Sequence, residues 1–242
     1  MNYKKIYGVA IIPAKTDSTR LKKKNLRVIA DKTLVEHSIL HAKQSKYIKD
    51  IIVTSNDEKV QEIAKKYDCT FYWRDEDYMG EREVADVYVN VFQNDFKDNG
   101  EWRIPQMATH VVGIQPDHPD RTNKLDTLIE YFVDNKYDDL VTVDKNGTRN
   151  GSIRILKAKD VKHGTISRRV GSYLDDCTNI HSEDDLKNAE QNILQTDARD
   201  SWVCEVCDGN TYDVDWDYIG SGTNHLGCDL EQEEQRPHEE ER

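Results

Sequence analysis

An apolar run at residues 6–12 constrains the fold of this chain more than any other sequence feature. The run is almost unbroken, and a polar, basic segment follows it after Pro13. A strand inside a parallel sheet is buried on both faces, so its sequence is continuously apolar and does not alternate. The run therefore predicts a buried parallel strand that leads into a functional loop.

Helical and strand-like patterns then alternate along the chain. Helical spacing is found at residues 34–45, from 57, at 84–92, at 126–133 and after the predicted N-cap Ser182, and strand-like runs at 51–53, 69–73, 110–114, 140–143 and 152–156. This alternation predicts an α/β fold, a Rossmann-like three-layer sandwich with a mostly parallel sheet. Ligands of such sheets bind at the carboxyl ends of the strands. The loops expected to line a site follow Ile12, Thr54, Phe71 and Ile114.

Composition excludes several classes of function. The chain has 46 acidic residues against 34 Lys and Arg, a net charge of -12, so its average surface repels nucleic acid. No run of eighteen apolar residues and no signal-peptide pattern occurs, which predicts a cytoplasmic protein without a membrane span. Five cysteines in such a chain favour free thiols or metal ligands over a disulfide framework.

The loop after the first strand carries the most informative motif. Residues 13–25 read Pro-Ala-Lys-Thr-Asp-Ser-Thr-Arg-Leu-Lys-Lys-Lys-Asn. A solvated basic turn could have this composition, but backbone donors joined to several flexible cations are also what binding a triphosphate requires. The loop resembles the signature of the acylneuraminate and Kdo cytidylyltransferases: Pro-Ala-Arg, two small residues, Ser, any residue, Arg, three residues, Lys-Asn. Lys15 stands in place of the Arg, and Thr16 and Asp17 stand in place of glycines.

Further segments resemble the same family in the same order. They are residues 31–34 (Gly-Lys-Pro-Leu in the family), 51–57 (a strand ending in Ser-Thr-Asp), 114–122 (Leu-Gln-Pro-Thr-Ser-Pro-Leu-Arg-Thr), 150–153 (Asn-Gly-Ala-Ile) and 178–189 (the closing motif). The resemblance covers residues 6–193 and implies a sheet of the nucleotide-diphospho-sugar transferase type. It also implies transfer of CMP from CTP to a sugar acid or another small hydroxylated acceptor, with release of pyrophosphate.

The resemblance implies roles for individual residues. Arg20 and Lys24 would contact the phosphates and stabilise the charge that builds on the leaving pyrophosphate, which makes them, with Asp117, the candidate catalytic residues. Arg74 falls where the family begins the loop that helps recognise cytosine. The candidate nucleotide-binding residues are Ala14, Lys15, Ser18, Arg20, Lys24, Asn25, Arg74 and Gln115.

The candidate site for Mg²⁺, or Mn²⁺, departs from the family pattern. Asp117 sits where the Kdo branch has a magnesium-binding Asp, but Asn179 and His181 replace the two aspartates of the closing motif. Neither residue type is a good magnesium ligand, so His181 is a weak candidate beside Asp117. Asp175 or Asp176 would supply a second carboxylate, unless it serves in a salt bridge or a cap.

The base and the acceptor are open. His118, next to Asp117, is a candidate general base, although a lone histidine is more often structural. Between Arg121 and Asn150 the sialate enzymes have a much longer segment that crosses to a partner subunit, and here only one helix, one strand and a turn are expected. The acceptor therefore need not be sialic acid, and the family's dimer need not form.

The sequence changes character after about residue 195. Cys204, Cys207, His225 and Cys228 form a C-x₂-C, seventeen-residue, H-x₂-C pattern. Such paired spacing is typical of a structural zinc ribbon, although four unrelated residues could also produce it. The expected organisation is a nucleotidyltransferase domain at 1–195, a zinc-ribbon-like module at 196–230 and a disordered acidic tail at 231–242. Acidic side chains in the module favour a protein partner over nucleic acid.

Two other functions are compatible with these motifs. One is a non-catalytic nucleotide-binding module with a zinc-held partner site, which the loss of the closing aspartates would favour. The other is a transferase that uses a different nucleotide or a ready-made nucleotide-sugar.

Overall fold

The fold is that of a computed structural model, which describes residues 3–15, 18, 20–74, 84–94, 108–165 and 168–200, with side chains omitted at 93–94 and 197–200. The strands are β1 Gly8–Pro13, β2 Val28–Ile29, β3 Lys32–Thr33, β4 Ile48–Ser55, β5 Thr70–Trp73, β6 His110–Ile114, β7 Asp139–Val143, β8 Arg149–Lys157 and β9 Val170–Leu174. The helices are α1 Leu34–Lys43, α2 Glu58–Lys66, α3 Val84–Asn94, α4 Leu125–Asp134, α5 Ala158–His163 and α6 Glu183–Asp200.

Seven of these strands form one sheet in the order β5-β4-β1-β6-β8-β7-β9. The first strand, β1, is parallel to both of its neighbours, β4 and β6. Only β8 runs the other way, antiparallel to β6 and to β7, while β4 with β5 and β7 with β9 are parallel. The predicted mostly parallel sheet is therefore confirmed.

Alternate residues of β1 supply the two cores of the sandwich. Ala10 and Ile12 are buried against α1, α2 and α4, whereas Val9 and Ile11 are buried against α3 and α5. A strand with apolar side chains on both faces must be covered twice, which is why the run at 6–12 is continuous. The predicted three-layer arrangement is confirmed.

The predicted cap of α6 is also present. Ser182 Oγ accepts a hydrogen bond from the backbone N of Asp185 at 3.2 Å, and Asp185 Oδ2 accepts one from the backbone N of Ser182 at 2.8 Å. This reciprocal pair satisfies donors that the first helical turn leaves free. Thr33 and Glu36 form the same kind of capping box at the start of α1.

The chain divides into two units after Glu190. The second unit is described only at residues 191–200, which are helical. The predicted module at 196–230 therefore lies outside the described residues except for 196–200, and the tail at 231–242 lies wholly outside them.

Gly113 in β6 allows Tyr88 of α3 to pack directly on the sheet. A Cβ at this position would lie 2.1 Å from Tyr88 Cζ, and Tyr88 is fully buried. We expect Gly113→Ala to lower the free energy of unfolding by about 2 kcal/mol, because overpacking a core displaces its neighbours. Urea unfolding measures the change, and Tyr88→Leu is the background in which the cost should shrink. An equal cost in both backgrounds would contradict the contact.

Candidate functional site

Three segments meet at the ammonium group of Lys24. Its Nζ donates hydrogen bonds to Asp117 Oδ2 and to the carbonyl oxygen of Ile180, both at 2.9 Å. Lys24 begins a short 3-10 turn directly after Lys23, whose backbone is left-handed with a φ of 52°. The loop after β1, the loop after β6 and the segment before α6 are therefore joined at one side chain, at the carboxyl ends of β1 and β6.

Asp117 has a charge-assisted contact on each of its oxygens. His118 Nδ1 contacts Asp117 Oδ1 at 3.0 Å and must donate, because a carboxylate only accepts. Burial acts to raise the pKa of Asp117, but the hydrogen bond and charge of His118, together with the charge of Lys24, outweigh it and lower the pKa well below its usual range. Asp117 is therefore ionised at neutral pH and holds Lys24 in place.

His118 lies in the interior, with only 1% of its surface exposed. Its Nε2 is buried and has no hydrogen-bond partner among the described residues. This burial favours a role in positioning Asp117 over the role of a general base that reaches an acceptor.

Arg20 is paired with His181 beside this junction. Arg20 Nη1 lies 3.1 Å from His181 Nδ1, and a guanidinium has only donors, so Nδ1 accepts. Burial, followed by the charges of Lys24 and Arg20, lowers the pKa of His181. The ring is therefore neutral at pH 7, and its Nδ1 lone pair is used by Arg20. This contact favours His181 as the partner of Arg20 over the predicted weak role as a metal ligand.

The beginning of the loop is fixed to the sheet through its backbone. Asn25 Nδ2 donates to the carbonyl oxygen of Lys15 at 2.7 Å, and Ser55 Oγ donates to that of Ala14 at the same distance. Asn25 is only 5% exposed, so its side chain shapes the loop from inside. Ser18 is half-buried, while residues 16, 17 and 19 lie outside the described residues.

Arg74 and Gln115 lie at the carboxyl ends of β5 and β6. The backbone N of Arg74 donates to the carbonyl oxygen of Ser55 at 2.9 Å, which holds the end of β5 beside that of β4. Gln115 lies over Gly151, where an added Cβ would come within 2.7 Å of Gln115 Nε2. The carboxyl ends of β1, β4, β5 and β6 thus lie at the same end of the sheet, as the alternating pattern predicted.

The segment that brings Ile180 to the site is hydrogen-bonded to the loop after β6. Asp120 accepts from the backbone N of Thr178 at 2.9 Å and from its hydroxyl at 2.7 Å. The backbone N of Ile180 then donates to the carbonyl oxygen of Asp117 at 2.9 Å. Asp120 and Thr178 belong to matched segments of the sequence, but their spacing along the chain gave no sign that they pair.

Asp175 has a structural role. Its Oδ2 accepts from Ser152 Oγ at 2.7 Å and its Oδ1 from Asn123 Nδ2 at 3.0 Å, and the residue is only 1% exposed. Arg121 Nε donates to the same Ser152 Oγ at 2.7 Å. These hydrogen bonds use both carboxylate oxygens of Asp175 and favour a structural use over metal binding, but their donors are a hydroxyl and an amide, not the salt bridge or cap that the sequence suggested. Asp176 is exposed.

The oxygen donors near the site fit a metal ion that arrives with a ligand. Within the described residues, no three His, Cys, Asp or Glu side chains are grouped to hold a metal. Asp117 supplies one carboxylate, and Asn179 Oδ1 is buried without a hydrogen-bond partner in the described part of the chain. Mg²⁺ is commonly bound by one or two carboxylates together with substrate phosphates and water. These two oxygens suit that mode and not a resident ion.

The cysteines divide into two groups. Cys69 and Cys177 are free and half-buried, and burial raises the pKa of their thiols to about 11 and about 12. They are therefore protonated at neutral pH. The predicted zinc ligands Cys204, Cys207, His225 and Cys228 lie outside the described residues. The zinc site stays a prediction, which the zinc content of the purified chain would test.

In the described part of the chain, no helix has the length and apolar character to cross a bilayer.

The sheet, with its basic loop after the interior strand β1, defines a Rossmann-like fold of the nucleotidyltransferase class. The fold matches the structure of a CMP:2-keto-3-deoxy-manno-octonic acid synthetase complexed with CTP, with a TM-score of 0.61 and 14% identity over 78% of this chain and 99% of that one. A cytidylyltransferase from Leptospira borgpetersenii matches with a TM-score of 0.56 and 16% identity over 80% of this chain and 96% of that one. Identities this low show a shared fold.

The sequence itself shows the family. Residues 9–174 match the cytidylyltransferase family, and the chain belongs to it. It is 34% identical over 90 residues to the CMP-N,N'-diacetyllegionaminic acid synthase of Legionella pneumophila, which is 37% of this chain and 38% of that protein. It is 27% identical over 150 residues to the N-acylneuraminate cytidylyltransferase of Escherichia coli, which is 61% of this chain and 34% of that protein. The matches therefore span little more than a third of these two relatives.

Proposed function

We propose that the protein transfers CMP from CTP to a hydroxyl group of a sugar acid and releases pyrophosphate. The observation that carries this proposal is the pair of hydrogen bonds from Lys24, in the basic loop, to Asp117 and to the carbonyl oxygen of Ile180. This arrangement occurs in a chain that belongs to the cytidylyltransferase family. Both curated relatives are named for joining a cytidylyl or CMP group to an acidic sugar.

Lys24 and Arg20 are the proposed phosphate-binding cations. The Lys24 ammonium has three donors. Asp117 and the carbonyl oxygen of Ile180 accept hydrogen bonds from two of them. No described residue accepts from the third, which is proposed to bind a phosphate oxygen. A cation that the protein already holds in place stabilises the charge on leaving pyrophosphate without reorganising during the reaction. Arg20, fixed by neutral His181, adds a second cation on the same side of the loop.

Asp117 is the proposed carboxylate ligand for Mg²⁺ or Mn²⁺ that enters with CTP. Asn179 Oδ1, a neutral oxygen and hence a weaker ligand than the aspartate it replaces, is the proposed second donor. The bound ion would neutralise charge on the triphosphate oxygens. Asp117 then has two tasks, because the carboxylate that would face the ion also positions Lys24.

The remaining residues are proposed to hold the nucleoside. The backbone of Ala14 and Lys15, with Ser18, lies at the end of β1, where phosphates approach a sheet of this type. Arg74 and Gln115, at the ends of β5 and β6, would contact the cytidine. The acceptor is proposed only as a class, a sugar acid or another small hydroxylated molecule.

Pyrophosphate release from each of the four common triphosphates, with Mg²⁺ or Mn²⁺ and a panel of sugar acids and small hydroxylated acids, tests this proposal. We expect release from CTP alone and only when an acceptor is present. Turnover of a different triphosphate would overturn the base assignment. Tight binding of CTP without turnover by any acceptor in the panel would instead support the non-catalytic nucleotide-binding module.

A further inference from the structure

The segment 180–190, which includes the start of α6, lies along residues 24–30, where the basic loop ends and the β2–β3 hairpin begins. The two segments are joined by three contacts, which we call the clasp: Lys24 Nζ to the carbonyl oxygen of Ile180 at 2.9 Å, Arg27 Nη2 to Glu183 Oε2 at 2.5 Å, and the backbone N of Ala30 to Glu190 Oε1 at 2.8 Å. Glu183 and Glu190 are about two helical turns apart and therefore lie on the same face of α6. The clasp thus runs from the proposed phosphate site to the hairpin.

Glu190 holds a turn whose backbone is unfavourable. Ala30 and Asp31 form the turn between β2 and β3, with φ of 44° and 63°. Residues other than glycine rarely adopt this left-handed conformation, and it persists where surrounding contacts hold it. The carboxylate of Glu190 accepts the N–H of Ala30 in a charge-assisted hydrogen bond. The far end of the clasp therefore stabilises a strained turn.

Backbone hydrogen bonds connect this turn to Lys24. The hairpin pairs Val28 with Thr33. At its base, Leu34 N donates to the carbonyl oxygen of Arg27 at 3.1 Å, and Arg27 N donates to that of Lys24 at 2.9 Å. The turn and the residue proposed to bind phosphate thus belong to one hydrogen-bonded unit.

Solvent exposure distinguishes the two side chains that α6 contributes to the clasp. The side chains of Arg27 and Glu183 are 39% and 56% exposed, and ion pairs this exposed contribute little. The contact between Glu190 and Ala30 is partly buried, and Leu186, one turn earlier in the helix, is buried. Glu190 is therefore the side chain of α6 that holds this region most firmly.

We propose that Glu190 is a positioning residue, which holds the turn at Ala30 and thereby keeps the basic loop in the conformation that binds CTP. This inference rests on the proposed function for the identity of the ligand. A loop that is held in its binding conformation before the ligand arrives loses less entropy on binding. Loss of the contact lowers the fraction of chains that are ready to bind, so CTP binds more weakly while the complex, once formed, reacts as before.

Glu190→Ala tests the role of Glu190 with two readouts. Hydrogen exchange measured without nucleotide should be about tenfold faster at the amides of residues 24–31, because one charge-assisted hydrogen bond is lost. In acceptor-dependent pyrophosphate release, KM for CTP should rise about tenfold while kcat changes by less than about twofold. A variant that had merely lost stability would instead lower kcat through the fraction of folded chain.

Two further variants are matched to Glu190→Ala. Glu190→Gln keeps an oxygen that accepts from the backbone N of Ala30, and it should stay within about threefold of the wild type in both readouts. Asp184→Ala removes an equal charge from the same helix, at a side chain that is 86% exposed, and should change neither readout.

The two readouts separate the role of Glu190 from the proposed function. Unchanged exchange in Glu190→Ala would overturn the positioning role, and so would faster exchange with an unchanged KM for CTP. Equal effects of Asp184→Ala and Glu190→Ala would overturn it as well, because only charge would then matter. If the wild-type chain does not turn over CTP, the proposed function fails, while exchange alone still decides whether Glu190 holds the loop.

Discussion

Lys24→Ala is expected to reduce kcat/KM for acceptor-dependent pyrophosphate release by about 10²- to 10³-fold, the effect of removing one positioned donor from a developing anion. The substitution removes the donor that is proposed to face the phosphates. It also leaves the ionised Asp117 without its cation, so that a negative charge faces the incoming triphosphate. Both consequences act in the same direction.

Lys22→Ala is the matched control for Lys24→Ala. Lys22 is exposed in the same loop, and its loss changes the net charge equally. Steady-state kinetics should show a change of no more than about twofold for Lys22→Ala, since a solvent-exposed charge contributes little. Equal losses from the two variants would mean that only the total charge of the loop matters, and would refute the specific role of Lys24. Circular dichroism of both variants separates loss of activity from loss of fold.

Acidification is expected to destabilise the protein from about pH 6.5 downward. Burial, followed by the charge of Arg121, lowers the pKa of His41 to about 3, and burial followed by the charge of Lys157 lowers that of His110 to about 4. Asp175 opposes the shift of His41 only in part. His41 Nε2 is buried without a hydrogen-bond partner in the described residues, so a proton there would be poorly stabilised.

The direction of this pH effect follows from comparing histidine protonation in the unfolded and in the folded chain. A histidine in the unfolded chain takes up a proton near pH 6.5, whereas these two stay neutral in the folded chain until the pH is lower. Their contribution to stability is therefore complete above about pH 6.5 and is lost as the pH falls. Together they should lower the free energy of unfolding by roughly 5 kcal/mol between pH 7 and pH 4.5. This is a large part of the stability of an ordinary domain.

Urea unfolding at a series of pH values measures this dependence. The double variant His41→Leu/His110→Leu should lose most of the slope between pH 6.5 and 4.5. His163→Gln, at the exposed end of α5, should keep the wild-type slope. A wild-type chain with the same free energy of unfolding at both ends of this range would contradict the prediction.

The sequence predicted the helices and strands whose hydrophobic pattern results from packing in the sheet layers. The apolar run of β1, the helical spacing of α1 and α4, and the cap at Ser182 each express a local requirement, so each could be recognised without the structure. The short β2–β3 hairpin and α5 were not predicted, because each is too short for its period to stand out. Strand β9 is as long as β6 and β7 but was not predicted, because alternate residues are exposed and it lacks their continuous apolar run. The antiparallel direction of β8 was not predicted either, since direction depends on which strands it meets.

The site was predictable as a set of residues and less so as an arrangement. The resemblance pointed to Lys24 and Asp117, but their direct contact depends on how two distant loops meet. Asn25 was expected to bind nucleotide, and its side chain is found to shape the loop by bonding to Lys15. The pairs Asp120–Thr178 and Asp175–Ser152 join residues that no periodicity relates, so only the folded chain reveals them.

The contacts of Lys24 also bear on when, during synthesis, the proposed phosphate site can form. Lys24 lies 93 residues before Asp117 and 156 residues before Ile180. During synthesis the basic loop leaves the ribosome early, and its ammonium group lacks one of its two fixed partners, Ile180, until the segment after β9 has been made. Pairings of such long range form slowly, because a long stretch of chain must first be closed. The nascent chain should thus acquire its secondary structure well before it can retain a triphosphate.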